Sequence, residues 1–279
     1  MRLEYNQMPL KLMYITNNPS VAQIAQDAGV DRIWIDLETL GKEERQSHLD
    51  SVKSHHSISD VATLRPFIDK SELMVRINPI HEDSRSEIDA VIDNGADLII
   101  LPMFRNRTEV QTFIDLVNGR TKTILLLETI EAENSIDDIL SIEGIDEIHI
   151  GLNDLHMAHK MKFMFELLAD GTVERLCRSF RERHIPYGFG GVAHLGTGIL
   201  PAENILAEHY RLGSSMVILS RGFCQTDDFI SSEDLRYTFI ERVNALRDYE
   251  DKLSVQTEEF FRDNQMLVKQ KVMQIVHAD

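Results

Sequence analysis

Thr123-Ile124-Leu125-Leu126-Leu127-Glu128-Thr129 is an apolar run closed by a carboxylate. Glu147-Ile148-His149-Ile150-Gly151-Leu152-Asn153-Asp154-Leu155, a little further on, is a second. Core positions that are apolar almost without alternation are the pattern of a parallel strand buried on both faces. An acid at the carboxyl end of such a strand is rarely needed for folding. Taken singly, Glu128 reads as an exposed loop acid and Asp154 as a helix N-cap. Taken together on neighbouring strands, they make a hard, oxygen-rich pair suited to Mg²⁺ or Mn²⁺.

Working outward, the same rhythm fills most of the chain. Upstream, the runs Leu10–Thr16, Arg32–Glu38, Glu72–Pro79 and Asp97–Met103 read as strands one to four. Downstream, Pro186–Gly191 and Ser215–Arg221 read as strands seven and eight. Helical patterns separate them at Pro19–Ala28, Asp60–Ile68, Ser84–Asn94, Thr108–Asn118, Asn134–Ser141, Ala158–Leu168, Thr172–Arg183 and Pro201–Leu212. A further loop and helix are expected from Gly41. Several of the helices are stopped by glycine, at Gly29, Gly95, Gly119 and Gly213. Eight buried strands with helices between them predict the α/β class and a (β/α)₈ TIM barrel. A doubly wound open sheet is the runner-up. No Gly-rich phosphate turn follows strand one, where Asn17-Asn18-Pro19-Ser20 is only a helix entry.

The 279 residues, 43% apolar, suit a single barrel domain over 1–279. A helical extension over about 231–279 completes it, read as helices at Ser231–Leu253 and Val255–Val276. On the last, Val255, Phe261, Val268, Val272 and Ile275 can share a stripe. That stripe can be covered by the chain's own barrel or by a neighbouring subunit, and a homo-oligomer is expected. Met157, Met161 and Met164 read as adaptable packing. No run approaches the roughly 18 apolar residues of a membrane helix, and the first residues lack the apolar core of a secretory signal. Cys177 and Cys224 show no ligand spacing and read as free thiols of a cytoplasmic protein. A net charge of −17 argues against nucleic acid or anionic membrane as partner. A small anionic substrate remains open, because a metal and a few arginines reverse the field locally.

Polar residues gather at the strand ends. Strand two ends in Asp36 and Glu38, strand three in Arg76 and Asn78, strand five in Glu128. Strand six ends in Asn153 and Asp154, strand eight in Ser220 and Arg221. A barrel brings all of these to one mouth, where active sites of this fold lie. Arg76 has no partner near it in sequence and is expected to be free to bind an oxygen anion beside a carboxylate-held metal.

In order along the chain, five segments resemble those of the HpcH/HpaI aldolase and citrate lyase β-subunit family, pyruvate- and phosphoenolpyruvate-type barrels. Val30–Glu38 is similar to its strand ending in Asp-Leu-Glu, and Val75-Arg76-Ile77-Asn78 to its Val-Arg-Val-Asn strand. Gly95–Pro102 resembles its Gly-Ala-Asp-Gly-Ile-X-Leu-Pro strand, Leu127-Glu128-Thr129 its Ile-Glu-Thr strand, and Ile145–Leu155 its Gly-Pro-X-Asp-Leu loop. The resemblance implies a divalent metal on Glu128 and Asp154, with Asp36 and Glu38 beside its water shell. It implies Arg76 facing the substrate carbonyl and enolate oxygen, and backbone around Gly151, Leu152 and Asn153 holding the carboxylate of a 2-oxo acid. The implied reaction is aldol or Claisen cleavage, or its reverse, between a 2-oxo acid and an aldehyde or acyl partner. The sequence departs from the family at Leu152, where proline is usual, and at His156 and Met157, where small residues are usual. The family's histidine after strand two is not at the equivalent strand end; His48, His55 and His56 lie further along, past a Lys42 and Arg45 that echo citrate lyase relatives. Two competing readings stand: an ester lyase of the citramalyl- or malyl-coenzyme A type, and a non-catalytic barrel subunit of a larger assembly.

Overall fold

The structure is a computed structural model that describes residues 8–41, 56–225 and 231–278. Eight parallel strands close a barrel in sequence order: β1 (Lys11–Ile15), β2 (Arg32–Asp36), β3 (Glu72–Arg76), β4 (Leu98–Leu101), β5 (Lys122–Leu127), β6 (Glu147–Ile150), β7 (Tyr187–Val192) and β8 (Met216–Leu219). The last strand pairs with the first, Leu12 opposite Val217, so no edge is left open. The (β/α)₈ barrel with C-terminal helices expected from the sequence is therefore the fold.

Strand parity decides what faces where. Leu12, Ile33, Ile35, Leu73, Val75, Ile99, Leu125, Leu127, Ile148 and Ile150 point outward into one continuous core shared with the helices. Met13, Trp34, Met74, Leu98, Ile100, Ile124, Leu126 and Met216 point inward and fill the middle of the barrel as a separate apolar tier. Below that tier the inward positions are ionic. Arg32 is wholly buried, sets two N–H groups on Glu147 at 2.5 and 2.7 Å and a third on Glu72 at 2.9 Å, while Lys11 and Lys122 close the outer sides of those two acids. Above the tier, two residues further along the same strands, come Asp36 and Arg76, with Glu128 just past the end of β5.

The helices begin where the sequence supplies caps. Asn18 accepts from the N–H groups of Ser20 and Val21 ahead of the Pro19–Asp27 helix, and Asn106 accepts from Glu109 ahead of Arg107–Val117. The connection after β6 differs from expectation. Its helix starts at once, over Leu152–Ala158, and Lys160 turns through φ +58° before a second short helix at Glu166–Ala169. The helix expected over Asn134–Ser141 is two short pieces, Ile130–Asn134 and Ile136–Ile139. The one expected directly after Gly41 falls on 42–55, outside the described residues.

Two long helices follow the barrel, Ser232–Ser254 and Glu258–His277. Phe261, Val268 and Val272 are buried, packed with the helices Glu166–Ala169 and Ala202–Leu212 of the same chain. Val255 lies between the two helices and is 79% exposed, so it is not part of that stripe. A polar network holds the same seam: Asn264 donates to Glu208 and to the backbone of Asn204, and Lys271 donates to Asn204. Among the described residues, no helix is long and apolar enough to cross a membrane.

Candidate active site

β4, β5 and β6 end around a cavity of about 620 Å³. Its polar wall carries Glu128, Thr129, Glu131 and Asp154; its apolar wall carries Met103, Ile130, Met157 and Ala158; Arg105 completes it. Glu128 is buried, 3% exposed, and accepts the Met103 N–H at 3.1 Å. That N–H faces inward because Met103 adopts φ +51°, a left-handed turn that a non-glycine residue rarely takes. Thr129 donates to the Phe104 carbonyl at 2.7 Å and accepts from the Ala132 N–H, tying the ends of β4 and β5 together beneath the cavity. Gly151, after β6, leaves the room Glu128 occupies: a Cβ there would lie 2.7 Å from Glu128 Oε2.

Electrostatics at Glu128 follow from this crowding. Burial pushes its pKa upward, the negative charges of Asp154 and Glu38 push the same way, and Arg76 with the Met103 N–H pull against them. The net result is a carboxyl held well above the usual range.

Arg76 is not the free guanidinium that the sequence suggested. Its Nε and one Nη donate to the two oxygens of Asp36 at 2.8 and 2.7 Å, and its other Nη lies 3.4 Å from Glu38. Its guanidinium carbon sits 5.3 Å above the centre of the Trp34 ring. Burial disfavours its charge, yet the fields of Asp36 and Glu38 outweigh that and raise its pKa. The reason lies in register: Asp36 and Arg76 are direct partners across β2 and β3 and share the inward face. Asp36 thus holds Arg76, and Glu38 donates its own N–H to Asp36 Oδ1 at 3.2 Å.

The other strand-end residues divide. Asp154 shares the cavity with Glu128, in the first turn of the Leu152–Ala158 helix. Gly151, Leu152 and Asn153 do not line it, and the Leu152 side chain is in the core at 1% exposure, so only its backbone can meet a ligand. Asn78 is structural: its Oδ1 accepts from the N–H groups of Thr39 and Leu40, and its Nδ2 donates to Glu87. His56 reaches β2, its Nδ1 accepting the Asp36 N–H at 3.0 Å. His48, His55, Lys42 and Arg45 lie outside the described residues. Sequence reasoning missed Met103, Arg105, Ile130 and Ala158; their signal was position, directly after strand ends four, five and six.

The HpcH/HpaI aldolase/citrate lyase family model matches residues 11–165. The chain belongs to that family. No curated protein matches the chain. Solved structures share the fold at low identity. An HpcH/HpaI aldolase from Desulfitobacterium hafniense DCB-2 matches with TM-score 0.56 and 15% identity over 76% of this chain and 86% of its own. An HpcH/HpaI aldolase/citrate lyase family protein from Burkholderia cenocepacia J2315 matches at 0.62 and 16% over 88% and 95%. Citrate synthase SbnG matches at 0.58 and 18% over 77% and 88%.

Proposed function

We propose that this family member is a divalent-metal-dependent carbon–carbon lyase that cleaves or forms a 2-oxo acid through a pyruvate enolate. One observation carries the reading. Glu128 and Asp154, from adjacent strand ends, share the wall of one cavity, and their mutual repulsion helps to hold Glu128 above its ordinary pKa. A pair of acids arranged at such cost in field is relieved by a cation.

The residues fit a small hard cation. The donors are carboxylate oxygens, and glycine at 151 lets the Glu128 carboxylate take its place in the cavity wall. Among the described residues, no group of three or more His, Cys, Asp or Glu is placed to hold a metal, so the remaining ligands would be water and substrate, the usual arrangement for Mg²⁺. Glu128 and Asp154 would hold Mg²⁺ or Mn²⁺, which when bound would polarise the carbonyl of the 2-oxo acid as a Lewis acid. Arg76 contributes a fixed positive charge that reaches Glu128, and so the side of the mouth where enolate charge would develop. Asp36 and Trp34 keep that guanidinium in one orientation. In the synthetic direction pyruvate loses a methyl proton, its C3 bonds to the aldehyde carbon, and the aldehyde oxygen gains a proton. Cleavage runs the same steps backward.

The test is the half-reaction. Exchange of the pyruvate methyl protons for deuterium, followed by NMR, should require Mg²⁺ or Mn²⁺ and stop with chelator. Pyruvate that keeps its protons with either metal present would exclude the enolate reading. A cytoplasmic homo-oligomer accompanies this proposal, and sedimentation at micromolar concentration tests the assembly.

A further inference from the structure

β7 is irregular where it passes β6. Met216 of β8 pairs with Gly188 and Ile218 with Gly191, so β8 advances two residues while β7 advances three. The extra residue makes a bulge, a device that re-aims the chain beside active sites. Gly190 carries it, with φ +52° in the left-handed region. The Gly190 carbonyl accepts from His149 Nε2 at 3.0 Å. A carbonyl only accepts, so Nε2 holds the proton and Nδ1 is bare. His149 stands on β6 in register with Leu126 of the inward tier, and the ring is 2% exposed. Gly188 makes room for it, since a Cβ there would lie 2.8 Å from Nδ1. Burial keeps the ring neutral, and among the described residues Nδ1 has no hydrogen-bond partner. Burying an imidazole this way is costly where an apolar side chain would pack. What the histidine supplies in return is one N–H, aimed at the bulge.

The other face of the bulge carries the chain that leaves β6. A Cβ at Gly190 would stand 2.6 Å from Leu152 Cδ1, so the Leu152 side chain rests directly on that glycine. Leu152 is buried and opens the Leu152–Ala158 helix, which packs on β7 and holds Asp154 in its first turn. An unbroken line of contacts therefore runs from His149 through Gly190 and Leu152 to the turn that bears Asp154. We propose that His149 is a positioning residue for Asp154: by holding the β7 bulge through the Gly190 carbonyl, it seats Leu152 and so sets where the Asp154 carboxylate stands in the cavity wall. The proposal rests on the metal role given to Asp154 above and extends it to what orients that ligand.

Two measurements test it, neither of them turnover. The first follows the backbone amide NMR signals of Gly151, Leu152, Asn153 and Asp154 in metal-free protein. His149→Gln keeps a donor for Gly190 and should leave them close to wild type; His149→Leu removes the donor and should move them. The second is Mn²⁺ affinity by titration calorimetry, on samples that circular dichroism shows to be folded. His149→Gln should bind as wild type does, and His149→Leu about tenfold more weakly, the usual effect of losing an outer partner of a metal ligand. Leu152→Ala leaves His149 and its hydrogen bond in place but cuts the same line further on, so it should weaken Mn²⁺ binding to a similar degree. Because both act along one route, the double variant should bind no more weakly than the worse single one. A His149→Leu protein that loses stability but keeps wild-type Mn²⁺ affinity overturns the proposal, as do a His149→Gln protein as weak as His149→Leu and a double variant whose effects add. Should His149→Leu not fold, Leu152→Ala decides, and wild-type affinity there overturns the proposal. Wild-type protein that binds no Mn²⁺ overturns the metal reading instead, and the amide signals then decide alone whether His149 positions this turn.

Discussion

Arg76 and Asp36 meet fork to fork, Nε and Nη2 on Oδ1 and Oδ2 at 2.8 and 2.7 Å, between residues paired in register on β2 and β3. The guanidinium is therefore aimed before any substrate arrives, and the acid that aims it is buried.

Breaking that pair should cost both stability and rate. Asp36→Ala removes the fork-to-fork partner of a largely buried guanidinium and leaves it facing Glu38 at 3.4 Å; breaking a buried pair of this kind typically costs about 3 kcal/mol. Arg76→Lys keeps the charge but cannot span both oxygens. We expect pyruvate deuterium exchange to fall by about 100-fold in Arg76→Lys, and Asp36→Ala to lower the thermal midpoint in calorimetry. Unchanged exchange in Arg76→Lys would show that the fork plays no part in the chemistry.

Glu128 should couple metal binding to pH. Its folded pKa is raised by burial and by Asp154, so between its ordinary value and the raised one the folded protein holds a proton the unfolded chain has lost. Stability from this group is thus fully present at low pH and is lost as pH rises through that window. A metal ligand must be ionised, so affinity for Mn²⁺ should weaken as pH falls through the raised pKa, with proton release on binding. Titration calorimetry in buffers of different ionisation enthalpy measures the released proton. Glu128→Gln should lower Mn²⁺ affinity about tenfold or more and remove the proton release; a variant that still releases a proton would place the titrating group elsewhere.

Gly151→Ala isolates geometry from charge. The added Cβ would stand 2.7 Å from Glu128 Oε2 and 3.0 Å from its Cβ, so the carboxylate must move while every charge stays. The protein should fold, with weaker metal binding and a changed pH profile. Metal affinity equal to wild type would mean that the Glu128 position is not critical.

His149 predicts part of the acid sensitivity. Burial pushes its pKa down to about 4, its Nε2 donates to the Gly190 carbonyl at 3.0 Å, and its Nδ1 has no hydrogen-bond partner among the described residues. The unfolded chain takes up the proton first, so the contribution is intact above about pH 6.5 and is lost as pH falls toward 4, a loss of roughly 3 kcal/mol. Denaturant unfolding across that range should show a shallower slope in His149→Gln, which keeps a donor for Gly190. A slope identical to wild type would assign the acid sensitivity to other groups.

The barrel was legible because strands buried on both faces leave an unbroken apolar signature, and Glu128, Asp154 and Arg76 were legible because they interrupt it at the carboxyl ends. What escaped depended on partners far apart in sequence. Asp36 and Arg76 are 40 residues apart, and only the register of β2 and β3 brings them together. Arg32, Glu72 and Glu147 stand at strand starts, where charge ordinarily faces water, yet barrel closure turns them inward. Met103 is ordinary in composition; its left-handed backbone, which delivers an N–H to Glu128, is set by the loop after β4. Val255 fitted the helical period but fell in the break between the last two helices.

The apolar tier of Met13, Trp34, Met74, Leu98, Ile100, Ile124, Leu126 and Met216 plugs the barrel above a floor of closed ion pairs. A ligand cannot reach the carboxyl ends of the strands through the barrel and has to come from the mouth. Whatever sits deepest, against Glu128 and Asp154, must enter first and leave last. Under the proposed chemistry that traveller is the 2-oxo acid, so turnover would follow a compulsory queue, with the aldehyde arriving second in synthesis and departing first in cleavage.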